Sequence, residues 1–480
     1  MSFNRLIVFF LISSLASLSA CKHDPVKPKG PGSGFPAKIA EIMDNQCATA
    51  GCHNGISYDK AGDLLLSQWS DLFAGGRTGA AVVPFSPQNS PLLYFINTHA
   101  DLGPIATPTM PFNRPPLSRD QYLLIRDWIA AGAPDKDGNI AFAANSATRQ
   151  KIYMTMQGCD LLASVDAEKR VVMRYIPIGK SEDIEAPHCV RVTKDGKFAY
   201  VSFLNSQYVQ KISTATDSVV DEIYVGLGSW NVFHLSPDGK KMIICDWADD
   251  GKVLIVNLET KQIEGTIPNL VRPHGIATDE SFETFYVTSE GKNVIYKFNL
   301  SWPQIQEVSI GNDITGIAVV HEIMMSPDHS RYLITLQNKN EVRVMDAVAD
   351  TLIKIIPVGT YPQEIAISSS RPYWFVSCME DASSQVRTKG SVYAINYNTL
   401  QPTKIEGPFY QPHAITVDDR NGTFYVLSRN ANTDGPPPHH ASGCSGRNGF
   451  YHVYDLNTFR KLPRKYEVTV EPYSADTRFK

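Results

Sequence analysis

From residue 150 onward, apolar and polar residues alternate in short runs, the period-two signature of half-buried strands, and the pattern recurs. The segments PHCVRVTKDGKFAYVS, WNVFHLSPDGKKMIIC, RPHGIATDESFETFYVTS, VHEIMMSPDHSRYLIT, PQEIAISSSRPYWFVS and PHAITVDDRNGTFYVLS superpose His188, Asn231, His274, His321, Gln363 and His413, which fall 43, 43, 47, 42 and 50 residues apart. Each unit has a turn between its first two strands, as at Asp195-Gly196 or Pro327-Asp328, and another near its end, as at Leu258-Glu259-Thr260-Lys261. Four strands at this period predict one β-propeller blade per unit. Residues 151–179 read as the second to fourth strands of a blade that lacks its first, and VEPYSADTRF near the C-terminus reads as a first strand alone. Joined, they predict a seventh blade in which the two ends of the domain pair and two open sheet edges disappear. The expected fold over residues 150–480 is an all-β seven-bladed propeller.

The superposed position opens the innermost strand of each blade, so with Tyr473 it rings one mouth of the central channel. Four of the seven are histidines: His188, His274, His321 and His413. Loops between second and third strands open on the same face and bring His439, His440, Cys378 and Cys444 towards it. Imidazole and thiolate suit copper, iron or zinc, which makes the four histidines candidate ligands of a channel metal. The alternative is a histidine-lined rim without metal, with Cys378 bridged to Cys444. Cys159, Cys189 and Cys245 read as buried thiols. His321-Glu322 has no second histidine four residues on and sits in a strand pattern, so it is no zinc-protease helix, and no Gly-x-Ser-x-Gly elbow is present.

Residues 35–140 switch to helical spacing and proline-rich loops. Pro36 opens a helix with Ile39, Ile42 and Met43 on one face, and this helix runs into CATAGCHNG, Cys47 to Gly55. Ser118 and Gln121 form a capping box for a second helix whose stripe is Leu124, Ile125, Trp128 and Ile129, stopped by Gly132 and Pro134. Two cysteines followed at once by histidine is the arrangement that attaches a c-type haem: two thioether bonds and an iron ligand. The usual spacing leaves two residues between the cysteines; here Ala48, Thr49, Ala50 and Gly51 intervene, small enough to bulge outward. A disulfide between Cys47 and Cys52 is the competing reading in an oxidising compartment.

Composition narrows the setting. With 480 residues, 20% charged, a net charge of -4 and no basic block, the chain offers no nucleic-acid-binding surface. Residues 1–20 have the form of an export signal, with Arg5 before an apolar run from Leu6 to Leu18, too short to span a bilayer. Residues 21–34, rich in proline, glycine and lysine, read as an extended tether reaching roughly 40 Å at ~3 Å per residue.

Leu18-Ser19-Ala20-Cys21 resembles the bacterial lipoprotein box, which implies cleavage before Cys21, lipidation of its thiol, and membrane contact through that anchor only, at the periplasmic or outer face of the envelope. CATAGCHNG, GDLLLSQWSDLFAGG, AVVPFSPQNSPLLY and MPFNRPPLSRDQYLLIRDWIAAGAPDKDG together resemble the c-type cytochrome domains of planctomycete and Bacteroidetes surface proteins. That resemblance implies a small all-α haem domain over residues 35–140, with haem c on Cys47 and Cys52, His53 as proximal ligand and Met110 of the Met-Pro step as distal ligand; His99 is the reserve. The repeats resemble YVTN-type propellers and, more distantly, lactonase-like and cytochrome-type nitrite reductase propellers. The expectation is an envelope electron-transfer lipoprotein whose propeller docks a redox partner protein or a small-molecule ligand. Two alternatives stand beside it: an oxidoreductase working at the histidine face, and a haem-free binding or adhesion lipoprotein held by a Cys47–Cys52 disulfide.

Overall fold

The computed structural model describes residues 31–144, 146–383, 388–429, 444 and 448–480. Residues 1–20, read above as an export signal, and Cys21, His439 and His440 lie outside them. Among the described residues no helix is long and apolar enough to cross a membrane.

Seven four-stranded antiparallel sheets form the propeller. In chain order, blades one to six run from the innermost strands Pro187–Val192, Trp230–Leu235, Pro273–Thr278, Val320–Met325, Pro362–Ile367 and Pro412–Asp418 outward. Blade seven closes the ring as the repeats predict. Its innermost strand is Pro472–Thr477, hydrogen-bonded to Lys151–Met156, with Leu161–Asp166 and Val171–Pro177 beyond. The pairing aligns Ile152 with Thr477 and Met154 with Ala475, and every residue of Pro472–Thr477 is buried. Arg478 locks this closure: its guanidinium is buried and donates to the carbonyls of Gly196, Ser146, Arg149 and Ala147 at 2.6–3.0 Å. All of these are backbone groups of the first blade and of the segment entering the seventh, so one side chain ties both ends of the domain together.

Residues 31–144 do not form an extensive all-α bundle. They hold a few short helices, α1 (Ala37–Ile42), α2 (Trp69–Leu72), α3 (Pro91–Ile96) and α4 (Arg119–Ala130), joined by long loops. The eight prolines from Pro84 to Pro116 deny this stretch backbone donors and helical φ/ψ in the residues before them. A core of Phe35, Ile39, Leu72, Leu93, Tyr122, Ile125 and Ile129 holds the helices together. The capping box of α4 is present, with Ser118 Oγ accepting from the Gln121 N–H and Gln121 Oε1 from the Ser118 N–H. This segment rests on the outer strands of blades six and seven: Glu467 N–H donates to Thr78 O at 2.9 Å, Arg464 to Ala74 O at 2.7 Å, and Arg174 to Ala141 O at 3.1 Å. Val83 inserts into a cluster built from propeller residues such as Val172, Tyr466 and Val468.

Candidate functional site

The first site lies in the helical segment. After α1 the helix widens, with Ala48 N–H bonding to Met43 O across five residues, and this wide turn over Met43–Cys47 delivers Cys47. Such local widening is frequent where a helix serves a site. The four residues between the cysteines loop away from the interior: Ala50 and Gly51 are exposed, and Gly51 takes φ +80°. His53 N–H then closes back on Cys47 O at 3.1 Å. Asn54 holds the loop, donating to Thr49 O at 2.8 Å and accepting from the N–H groups of Ile56 and Ser57. The stretched spacing therefore leaves Cys47, Cys52 and His53 on one side of the loop.

They share a cavity of about 650 Å³ with Met110. Its other walls are largely apolar: Leu64, Leu66, Ala80, Ala81, Leu92, Phe95, Ile96, Pro108, Pro111 and Phe112. Lys60 and Arg77 also line it. Met110 is fixed through its backbone, its N–H bonding to Phe95 O at 2.7 Å. His53 Nδ1 lies 3.0 Å from Leu64 O. A carbonyl only accepts, so that nitrogen carries the proton and Nε2 keeps the lone pair. Burial lowers the His53 pKa, which favours the neutral, ligating form. Burial pushes the Cys47 thiol up to about 12, with the neighbouring Cys52 adding to the rise. Cys47 and Cys52 stand as separate, half-buried thiols. Of the two candidate distal ligands, Met110 lines the cavity and His99 does not. Gly62, Gly76 and Gly79 line it in close packing: a Cβ on Gly76 would stand 2.8 Å from Gly62 O, and one on Gly75, which backs Gly79, 2.3 Å from Gly79 O.

The second site is the channel mouth. A cavity of about 580 Å³ is lined by six of the seven superposed residues named above together with Tyr473, that is, by the whole predicted ring. A second ring was not foreseen: Gln157, Leu204, Trp247, Glu290, Gln337, Met379 and Arg429, each one step past the pairing of a blade's second strand. Gln157 aside, the ring falls sixteen residues after each superposed position, so extending the repeat alignment by two columns would have found it. His188, His274, His321, His413 and Tyr473 form a closed circle of ring contacts, with centroids 6.1, 3.9, 6.3, 3.8 and 4.5 Å apart in turn.

Each histidine is oriented through Nδ1. His274 Nδ1 meets His321 O at 3.1 Å, His413 Nδ1 meets Tyr473 O at 2.9 Å, His188 Nδ1 meets the Gln157 side-chain amide at 3.0 Å, and His321 Nδ1 meets Glu290 Oε1 at 2.7 Å. Burial drives His188, His274 and His413 down, with neighbouring cationic groups adding, and His274 falls to about 3. Burial opposes charge on His321 too, but the Glu290 carboxylate outweighs it and lifts its pKa. For Glu290, burial works against the anion, yet His321, His274 and the Trp247 indole hold it down at about 2. Among the described residues, two groups have metal-ligand spacing: His274 with Glu290 and His321, and His321 with Glu364 and His413. His188 belongs to neither.

The expected Cys378–Cys444 bridge is not formed. Cys378 is buried within its blade, where strand pairing aligns it with Pro362 and Ser391. Cys444 instead lies against blade seven, its thiol on Gly158 O at 3.0 Å and its carbonyl accepting from Thr469, whose hydroxyl also meets Cys159. Cys159, Cys189 and Cys245 are buried thiols as read from the sequence.

No protein-family model matches this chain, and no curated protein matches it. Solved structures do. Hydrazine synthase of Kuenenia stuttgartiensis is similar at a TM-score of 0.50 and 15% identity, covering 62% of this chain and 90% of that one. A functionally unknown protein from Desulfotomaculum acetoxidans DSM 771 is similar at a TM-score of 0.52 and 11% identity, over 68% and 98% of the respective chains. At such identities the likeness is one of fold. The chain is thus a seven-bladed β-propeller protein with a helical segment docked on its outer edge.

Proposed function

We propose that this protein is an envelope-anchored electron carrier that holds one c-type haem in the cavity of the helical segment. One observation carries the reading: Cys47, Cys52, His53 and Met110, singled out by residue type and motif, stand on the walls of a single apolar cavity. The thiols would form the thioethers, and His53 Nε2 and the Met110 sulfur would ligate the iron. Bound there, the group would supply one-electron redox chemistry, and a thioether together with an imidazole raises the potential relative to two imidazoles. The chain's own part is to orient His53 through Leu64 O, to exclude water with the apolar wall, and to present Lys60 and Arg77 to the carboxylates of the macrocycle. The propeller then serves as the docking face for a redox partner protein or small molecule. Lipidation at Cys21 would hold the assembly at the membrane.

Expression of the full chain in cells that attach c-type haem tests this. Peptide mass spectrometry should find one haem on the fragment containing Cys47 and Cys52, and Met110→Ala should lower the reduction potential and alter the ligand-field bands. An unmodified fragment rejects the reading; an unchanged spectrum for Met110→Ala removes that residue from the iron.

A second reading, substrate oxidation or reduction at the channel face, draws on the polar cavity ringed by histidines. The channel cavity is bounded by the inner strands of the blades, whereas Thr78 and Gly79 of the first cavity meet the outer strand of blade six. A blade's width of three strand spacings, about 14 Å, lies between those strands.

A further inference from the structure

We propose that the channel holds one divalent transition-metal ion, bound by Nε2 of His321, Nε2 of His413 and the Glu364 carboxylate. This stands apart from the haem reading and does not depend on it. One donor atom of each residue lies within 4.8 Å of the others, so small side-chain rotations suffice to close a coordination sphere. The Nδ1 atoms are already committed, His413 to the Tyr473 carbonyl at 2.9 Å and His321 to Glu290 at 2.7 Å. Each acceptor fixes the tautomer and aims the opposite nitrogen, which is how proteins orient imidazole ligands around metals. His321 is 5% exposed, and its Nε2 is buried without a hydrogen-bond partner. A buried ring nitrogen in that state costs stability unless something occupies its lone pair.

The neighbouring triad of His274, Glu290 and His321 is the weaker candidate. Glu290 already accepts from His321 Nδ1 and, at 2.7 Å, from the Trp247 indole, so it is the orienting group and not a ligand. Glu364 carries no such load. Two imidazoles and one carboxylate suit zinc or iron(II) and leave further positions open to solvent or a small ligand. Since His321 and His413 both line the 580 Å³ cavity, those open positions face a space able to admit one.

Zinc titration of the chelator-stripped full chain, with stoichiometry by calorimetry and elemental analysis, tests the site. Cys47, Cys52 and His53 could take zinc themselves, so the parent for comparison is Cys47→Ala/Cys52→Ala/His53→Ala. That parent should bind one equivalent. His413→Gln and Glu364→Gln should each weaken binding at least about 100-fold, and Glu290→Gln, which removes only the orienting carboxylate, by about 10–100-fold. X-ray absorption of the zinc-loaded parent needs no channel variant and should show only nitrogen and oxygen ligands, two of them imidazole. A parent that binds no zinc, binding indifferent to His413→Gln and Glu364→Gln in variants with wild-type circular dichroism, or sulfur in the coordination sphere overturns the proposal.

Discussion

His452 offers the cleanest test of how burial sets charge in this propeller. It sits in the third strand of blade six, 1% exposed, flanked by Phe450 and Phe409 with ring centroids at 5.2 and 6.4 Å, and its Nδ1 has no hydrogen-bond partner. Burial, aided by Lys461 and Lys465, depresses its pKa to about 3. An unfolded histidine titrates near 6.5. Below that pH the unfolded chain takes up a proton that the folded one refuses, so this residue removes stability as pH falls and ceases to add further loss below pH 3. Between pH 7 and pH 5 the loss from one such group is about 2 kcal/mol, and by pH 3 it reaches about 4 kcal/mol. His452→Phe deletes the proton site and keeps a ring of similar size among aromatic neighbours. Urea unfolding of both proteins at pH 7, 6 and 5, followed by circular dichroism, should show the variant losing about 2 kcal/mol less on acidification. Parallel pH profiles would mean that His452 is protonated in the folded state and that burial does not govern its charge.

Lys151 is wholly buried and donates to Asp217 at 2.8 Å, Thr214 O at 2.7 Å and Ser146 at 3.1 Å, so Asp217→Asn should cost roughly 3–5 kcal/mol by stranding an ammonium. Burial lowers the Lys151 pKa below its ordinary value, so the unfolded state binds more protons and the variant should recover stability as pH rises towards 10, seen in melts at pH 7 and 9.5. Arg478→Ala should destabilise the propeller by more than about 3 kcal/mol, since four carbonyls lose a charged donor; a loss under about 1 kcal/mol in urea would show that the strand pairing closes the ring unaided. Gly75 takes φ +68° and leaves no room for a Cβ, so Gly75→Ala should deform the cavity wall and lower the ratio of attached haem to protein, read from absorbance against peptide quantification.

Much of the fold was legible because it repeats. Turns such as Asp238-Gly239 and the alternation around them fix where each strand begins, and the unmatched ends at residues 151 and 472 force a shared blade. The ring of His188, Asn231, His274, His321, Gln363, His413 and Tyr473 followed from the same register. Glu290 and Glu364 did not, since neither shares the superposed column: Glu290 is placed by its contact with His321, and Glu364 by its spacing to His321 and His413. The helical segment was legible at its capped helix, where Ser118 and Gln121 act locally, and overstated elsewhere because proline-rich loops carry no periodicity. The pairing of Cys378 with Cys444 failed for a related reason: long loops carry no register, and Thr469 and Gly158 draw Cys444 towards blade seven.

The most direct test of the account is the absorption spectrum of the full chain made in cells able to attach c-type haem, recorded oxidised and dithionite-reduced. A covalently bound haem with a low-spin spectrum that sharpens on reduction and changes in Met110→Ala is the expected result. A colourless protein, or one whose colour extracts into acidified organic solvent, would contradict the claim that Cys47, Cys52, His53 and Met110 build an electron-transfer site.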